Sequence, residues 1–112
     1  MHEFRGGIRI GNSYFDAVNY SYPFARVCFA ENSLRFFIGI FSFRKNISIP
    51  YCDMTRISIR RRIIGYGILI EHRSNSLPKF IVFWTVQGRS FLRTCEEYSI
   101  PILKANYSKN VS

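Results

Sequence analysis

Acidic residues are scarce in this chain of 112 residues, where seven Asp and Glu stand against sixteen Lys and Arg. The formal net charge is therefore +9 at neutral pH. Such an imbalance favours polyanionic partners, either nucleic acid or anionic lipid headgroups. The charge is also uneven, because seven basic residues and one acid, Asp53, lie between Arg35 and Arg62.

Cysteine is equally sparse, and the pattern excludes several kinds of site. The three cysteines are widely spaced and form no CxxC pair, which excludes a zinc ribbon. We expect all three to be reduced and mostly buried. His72 has no cysteine near it in the sequence, and no spacing pairs two carboxylates for acid–base work. The sequence therefore predicts a protein that is not an enzyme and has no cofactor.

Long apolar segments are missing as well. The most apolar run, Leu34 to Phe43, has ten residues and contains Arg35, whereas a membrane-spanning helix needs about twenty apolar residues. The first residues, "MHEFRGGIRIG", lack the apolar segment of a secretion signal. We therefore expect no transmembrane segment and a cytoplasmic location, with peripheral association at the membrane as a further option.

What the chain does contain favours strands. Aromatic residues make up 17% of it, and Ile and Val are frequent. The length suits one domain, residues 1–112, with an ordered core over about 8–102 and a loose C-terminal tail. We expect the residues before Ile8 to fray and residues 13–24 to be irregular.

Period-two alternation and turn residues then mark a series of strands. "ENS" (31–33) predicts a hairpin turn between 25–30 and the run that starts at Leu34. Further strands are predicted over 43–49, 55–64, 68–73 and 79–86, the last with Trp84 as a core anchor. One helix follows, because Phe91, Leu92, Cys95 and Tyr98 share a helical face. The fold class is mainly β with one C-terminal helix, an antiparallel curled sheet or small open barrel.

This order resembles the pleckstrin-homology-like layout. The phrases "IRIGNSYFDAVNYSYPFARVCF", "GYGILIEHR" and "LPKFIVFWT" also resemble a group of small bacterial proteins with that fold, and the GRAM branch is similar. The resemblance covers roughly residues 8 to 98 and implies a binding module without catalysis or an obligatory cofactor. Lipid-binding members use a basic loop between the first two strands. We expect that loop to be "ENS" here, which departs from the pattern because it has no lysine.

The segment "ISIRRRI" (57–63) is the most informative for function. On a strand, Ile57, Ile59, Arg61 and Ile63 point to one side, and Ser58, Arg60 and Arg62 to the other, together with Arg56. The basic side is either a solvated face or an anion-binding face. The anion-binding hypothesis includes the residues Arg44, Lys45, Arg56, Arg60 and Arg62.

Two functions follow from this segment. The first is a non-enzymatic binding module that engages a protein partner or an anionic membrane surface through the basic strand face. The alternative is nucleic-acid binding through the same face, which is weaker because that strand carries no outward aromatic residue for base stacking. The chain is expected to be a monomer or, through an exposed edge strand, a homodimer.

Overall fold

The computed structural model of the chain describes residues 2–13, 15–40 and 42–103. The described residues form strands and one α-helix, and a short 3-10 turn over Tyr51–Asp53 connects two of the strands. Their bounds are β1 His2–Gly11, β2 Ala17–Phe29, β3 Ser33–Ile40, β4 Phe43–Pro50, β5 Met54–Arg61, β6 Tyr66–His72, β7 Phe80–Thr85, α1 Gly88–Glu97 and β8 Ile102–Leu103.

All eight strands belong to one sheet in the order β4-β3-β2-β1-β7-β6-β5-β8. Two antiparallel meanders, β1–β4 and β5–β7, are joined where β7 pairs with β1. The edge strands β4 and β8 do not pair, so the sheet stays open. The prediction of a mainly β chain with one helix near its C-terminal end is confirmed. Antiparallel pairing also holds, except that the short β8 pairs parallel with β5.

β1 is longer than the sequence suggested and pairs with a strand of each meander, β2 and β7. It begins at His2 rather than near Ile8, because His2 pairs with Phe29 and the side chain of Phe4 is buried in the core. Its second half, Gly7 to Gly11, also pairs with β7. Pairing with β2 and the burial of Phe4 explain why these first residues do not fray.

β2 also extends further than expected, since it starts at Ala17 within the segment predicted to be irregular. The irregularity is instead a register shift, because Gly6 pairs with Ala25 while Ile8 pairs with Tyr20. The residues between those two pairs, which include Tyr22, therefore bulge out of the ladder. Most side chains of the first half of β2 are exposed, which is why they do not show the apolar alternation of a buried strand.

The core lies on the inward side of the curled sheet and is closed by α1. Phe91 on the helix packs against Phe29 and Phe83, with ring centroids 5.2 and 5.9 Å apart. Cys95 and Leu92 on the same helical face are also buried, which confirms that part of the prediction. Trp84 is not a core anchor, because Ile81, Phe83 and Thr85 take the inward positions of β7. Leu103, the first residue of the predicted loose tail, is instead paired with Ser58 in β8, and the rest of that tail lies outside the described residues.

Candidate functional site

The strand β5 presents its arginines to the outside, as the alternation predicts. Ile57 and Ile59 are buried, whereas Arg56 and Arg60 are exposed on the opposite side. Arg61 follows the inward series but is exposed, because it is the last residue of the strand. The basic side of the sequence motif is therefore a real surface of the sheet.

Neighbouring strands add apolar and aromatic side chains to this surface. Arg60 pairs with Gly67, and Gly67 pairs with Trp84 on β7. We call the outward side of these three strands the β5–β7 face. Its side chains are Arg56, Ser58, Arg60, Leu69, Glu71, Phe80, Val82 and Trp84. β5 itself has no outward aromatic side chain on which a base could stack, and β7, two strands away, supplies Phe80 and Trp84.

One arginine of the face is paired. The Nε atom of Arg56 donates a hydrogen bond of 2.8 Å to Oε2 of Glu71, and the two also form a salt bridge. Arg60, Arg61 and Arg62 form no salt bridge with any residue that the structure describes. The unbalanced positive charge is therefore concentrated at the far end of the strand, beside the hairpin.

That hairpin, Arg62 to Gly65, is the tip between β5 and β6. Its turn closes with a hydrogen bond from the Arg62 amide to the Gly65 carbonyl oxygen, and Gly65 has a φ of 82°, which favours glycine. Ile63 is fully exposed and Ile64 is 68% exposed. The sequence assigned Ile63 to the inward side of a longer strand, and this was wrong because β5 ends at Arg61.

Trp84 supports the tip from the β5–β7 face. Its indole Nε1 donates a hydrogen bond of 2.9 Å to the carbonyl oxygen of Ile64. Tyr22, from the bulge of β2, packs edge-on against the indole with ring centroids 6.0 Å apart. Sequence reasoning did not find this cluster of Tyr22, Ile63, Ile64 and Trp84. The available signal was the pair of isoleucines between a run of arginines and a turn glycine.

Two shallow grooves flank the tip. One, of about 320 Å³, is lined by Arg9, Tyr22, Arg62 and Trp84 among others, and none of its lining residues is acidic. The second, of about 400 Å³, runs along β5 and β6 past Arg56, Arg60 and Glu71. Both include Arg62, whose side chain lies over Gly67 because that residue has no side chain of its own. The grooves therefore meet at Arg62.

Arg44 and Lys45 do not join this surface. Both lie on β4, which is separated from β5 in the sheet by five strands. They also point to opposite sides of β4, since they are consecutive residues of one strand. Arg44 lines a separate groove with Arg5 and Arg26. The predicted set of five basic residues is thus divided among three places, with Arg56, Arg60 and Arg62 together, Arg44 in the separate groove, and Lys45 on the other side of β4.

The loop between the first two strands is not the one that the sequence suggested. It is residues 12–16, whereas "ENS" connects β2 to β3. The loop "NSYFD" carries Asp16 and no Lys or Arg. The loop between the first two strands is therefore not basic in the structure either.

Cys95 and His72 have structural surroundings, whereas Cys52 is exposed. Cys95 is buried, and this burial, with a smaller contribution from Glu96, raises the pKa of its thiol to about 12. A thiol with that pKa is protonated at neutral pH and is a poor nucleophile. His72 is bonded through both ring nitrogens, with Nε2 2.7 Å from the Pro78 carbonyl oxygen and Nδ1 accepting from the Ser74 amide. These contacts fix the loop that follows β6.

Two further properties bear on partners. Within residues 2–13, 15–40 and 42–103, no group of three or more His, Cys, Asp and Glu side chains is placed to hold a metal ion. No helix in the same part of the chain has the length and apolar character needed to cross a membrane.

Comparison with protein-family models finds no matching family, and comparisons with curated proteins and with solved structures find no significant match. The pleckstrin-homology-like assignment therefore stays a prediction, and the surface around the tip has to be interpreted from its own chemistry.

Proposed function

We propose that this chain is a non-enzymatic binding module that docks on an anionic membrane surface through the β5–β6 tip. The observation that carries this proposal is the exposure of Ile63 and Ile64 directly after three arginines that form no salt bridge with described residues. Adjacent exposed isoleucines leave apolar area in water, which is unfavourable unless a partner covers it.

The backbone of the tip suits an apolar environment. A carbonyl that enters the membrane without a hydrogen bond is costly. At the tip, Trp84 donates to the Ile64 carbonyl and the Arg62 amide donates to the Gly65 carbonyl. Two of the backbone carbonyl groups that would enter the membrane with the isoleucines therefore already accept hydrogen bonds within the protein.

The side chains around the tip match the layers of a membrane surface. Tyr22 and Trp84 stand behind the isoleucines, and such aromatic residues favour the headgroup level. Arg60, Arg61 and Arg62 can contact anionic headgroups, each contributing about 1 kcal/mol near such a surface. Burial of each isoleucine adds about 1.5–3 kcal/mol at most. The sum fits a reversible peripheral attachment.

The test is co-sedimentation of the full chain with two kinds of vesicle, phosphatidylcholine alone and phosphatidylcholine mixed with phosphatidylserine. We expect binding to the mixed vesicles that weakens as salt is raised. The double variant Ile63→Ser/Ile64→Ser is expected to lower the affinity by at least about tenfold, since each exposed isoleucine loses its transfer energy.

Phe15→Ser is the matched control, because Phe15 is 93% exposed but lies in the loop between β1 and β2. It should leave vesicle binding nearly unchanged. Equal loss in both variants, or no binding of the wild type to mixed vesicles, would contradict a membrane-docking tip. The second result would make a protein partner the better occupant of the same isoleucines.

A second candidate function is binding of single-stranded nucleic acid. It is favoured by the groove where Tyr22 and Trp84 meet Arg9 and Arg62, because aromatic stacking next to arginine suits exposed bases. Fluorescence anisotropy with a labelled single-stranded oligonucleotide tests it. This function requires a steep loss of affinity with salt and a loss on Arg60→Gln/Arg62→Gln. Unchanged affinity in that variant would exclude this surface.

A further inference from the structure

A second group of arginines lies on the outward side of β1–β4, away from the tip. Arg5, Arg26 and Arg44 line one groove of about 500 Å³, together with Asn46, Phe24 and Phe37. No Asp or Glu is among the residues that line it. We call it the arginine groove, and the proposed membrane docking makes no use of it.

The strand register brings these side chains together. Arg5 on β1 is the direct cross-strand partner of Arg26 on β2, and the row continues through Phe37 on β3 to Asn46 on β4. Arg44 pairs with Gly39 in the next row on the same side. Its Nη1 would be 3.2 Å from a Cβ placed on Gly39, so the guanidinium lies over the bare backbone of that glycine.

The charges in the groove are only partly balanced. Arg26 forms a salt bridge of 3.5 Å with Glu3, but neither Arg5 nor Arg44 forms one with any described residue. Like charges at directly opposed positions of an antiparallel pair are destabilising. Arg5 and Arg26 therefore repel each other across the ladder, and a bound anion would offset that repulsion.

The floor of the groove orients one guanidinium group. Cζ of Arg26 lies 5.0 Å from the centre of the Phe37 ring, a cation–π arrangement that restricts the arginine. Guanidinium groups bind the oxygens of phosphate groups in pairs, through parallel N–H donors. A site with three such groups suits a ligand with several phosphate oxygens better than it suits a single carboxylate.

We propose that the arginine groove binds a phosphate-bearing ligand through Arg5, Arg26 and Arg44. The phosphate can belong to a soluble molecule or to a lipid headgroup, since the chemistry of recognition is the same. The assignment is independent of the tip, which lies on the β5–β6 hairpin.

Isothermal titration of the full chain with inorganic tripolyphosphate tests the soluble source, and vesicles of phosphatidylcholine with phosphatidic acid test the lipid source. We expect the double variant Arg5→Gln/Arg44→Gln to weaken binding by at least about tenfold, because two charge-assisted contacts are lost. Arg44→Lys should recover only part of the affinity, since it keeps the charge and loses the paired donors.

Arg35→Gln is the matched control. It makes the same change of charge on an exposed outward residue of β3, where the Arg35 Nε donates to Ser33 Oγ, outside the groove. Binding of tripolyphosphate that depends on Arg5 and Arg44 supports a soluble ligand. Binding of phosphatidic acid vesicles alone, with the same dependence, supports a lipid ligand.

The proposal is overturned if neither probe binds, or if Arg35→Gln weakens binding as much as the double variant. The tip variant Ile63→Ser/Ile64→Ser separates this site from the proposed membrane docking. It should keep the affinity for tripolyphosphate unchanged while it loses binding to phosphatidylserine vesicles.

Discussion

The indole nitrogen of Trp84 donates its hydrogen bond to the carbonyl oxygen of Ile64, and this contact joins β7 to the β5–β6 tip. It skips over the strand between them, because β6 has Gly67 at the position opposite Trp84. The single tryptophan of the chain therefore stabilises an exposed hairpin and does not belong to the core.

Replacing this indole tests how much it stabilises the tip. Trp84→Phe keeps an aromatic ring and removes the donor, so we expect the free energy of unfolding to fall by about 1 kcal/mol. Urea unfolding measures the loss. Tyr22→Phe is the control, because it keeps the ring that packs on Trp84 and should leave stability unchanged. Identical midpoints for the wild type and Trp84→Phe would mean that the hydrogen bond has no net effect.

The salt bridge of the β5–β7 face predicts that removing its acidic partner strengthens binding to anionic vesicles. Glu71→Gln releases Arg56 from its 2.8 Å partner, so binding to phosphatidylserine vesicles should tighten by a few-fold, on the order of 1 kcal/mol or less. Glu97→Gln makes the same charge change on α1, where Glu97 contacts His2. If both variants tighten binding equally, net charge rather than this face determines affinity.

The raised pKa of Cys95 predicts a dependence of stability on alkaline pH. The unfolded thiol loses its proton near pH ~8.5, whereas the folded one keeps it until about 12. The stabilisation is therefore complete below the unfolded pKa and decreases as pH rises towards the folded pKa, by at most about 1.4 kcal/mol per pH unit.

Cys95→Ala should remove this dependence, although the cavity makes the variant less stable at every pH. The measurement is the difference in unfolding free energy between the two proteins at about pH 8, below the unfolded pKa, and at about pH 10, above it. That difference should shrink at the higher pH. Parallel profiles would show that the Cys95 thiol is not protected from ionisation in the folded protein.

The close backbone contact at Gly6 predicts that adding a single methyl group there lowers the stability of the fold strongly. A Cβ at Gly6 would lie 1.8 Å from the Trp84 carbonyl oxygen, so Gly6→Ala forces the backbone of β1 away from β7. We expect a loss of about 2 kcal/mol or more in thermal or urea unfolding. Gly39→Ala is the control, since its nearest neighbour is the flexible end of Arg44 and the cost should be small. Equal losses would contradict close backbone contact at Gly6.

The sequence predicted the strands through local alternation, and this worked where one side of a strand faces the core. Ile57 and Ile59 on β5 are buried and Arg56 and Arg60 are exposed, as their period of two indicates. The same rule failed at Ile63, because alternation cannot tell where a strand ends and a turn begins. It also failed for the first half of β2, whose side chains are mostly exposed and show no period.

The candidate site was harder to predict because it depends on which strands are neighbours. The arginines of β5 could be identified, but Trp84 joins them only through the pairing of β6 with β7. The separation of Arg44 from Arg60 is likewise a result of sheet order. Pairing between distant strands forms only when the whole chain collapses, so it cannot be predicted from a local sequence pattern.

The double pairing of β1 has a consequence for synthesis of the protein. Gly7 and Trp84 are neighbours in the sheet, although residues 8–83 lie between them in the sequence. β1 is synthesised before β7 and must therefore wait for β7 before its second edge is covered. Contacts of such sequence separation slow folding, and until β7 emerges the nascent chain has an open strand edge that a chaperone can occupy.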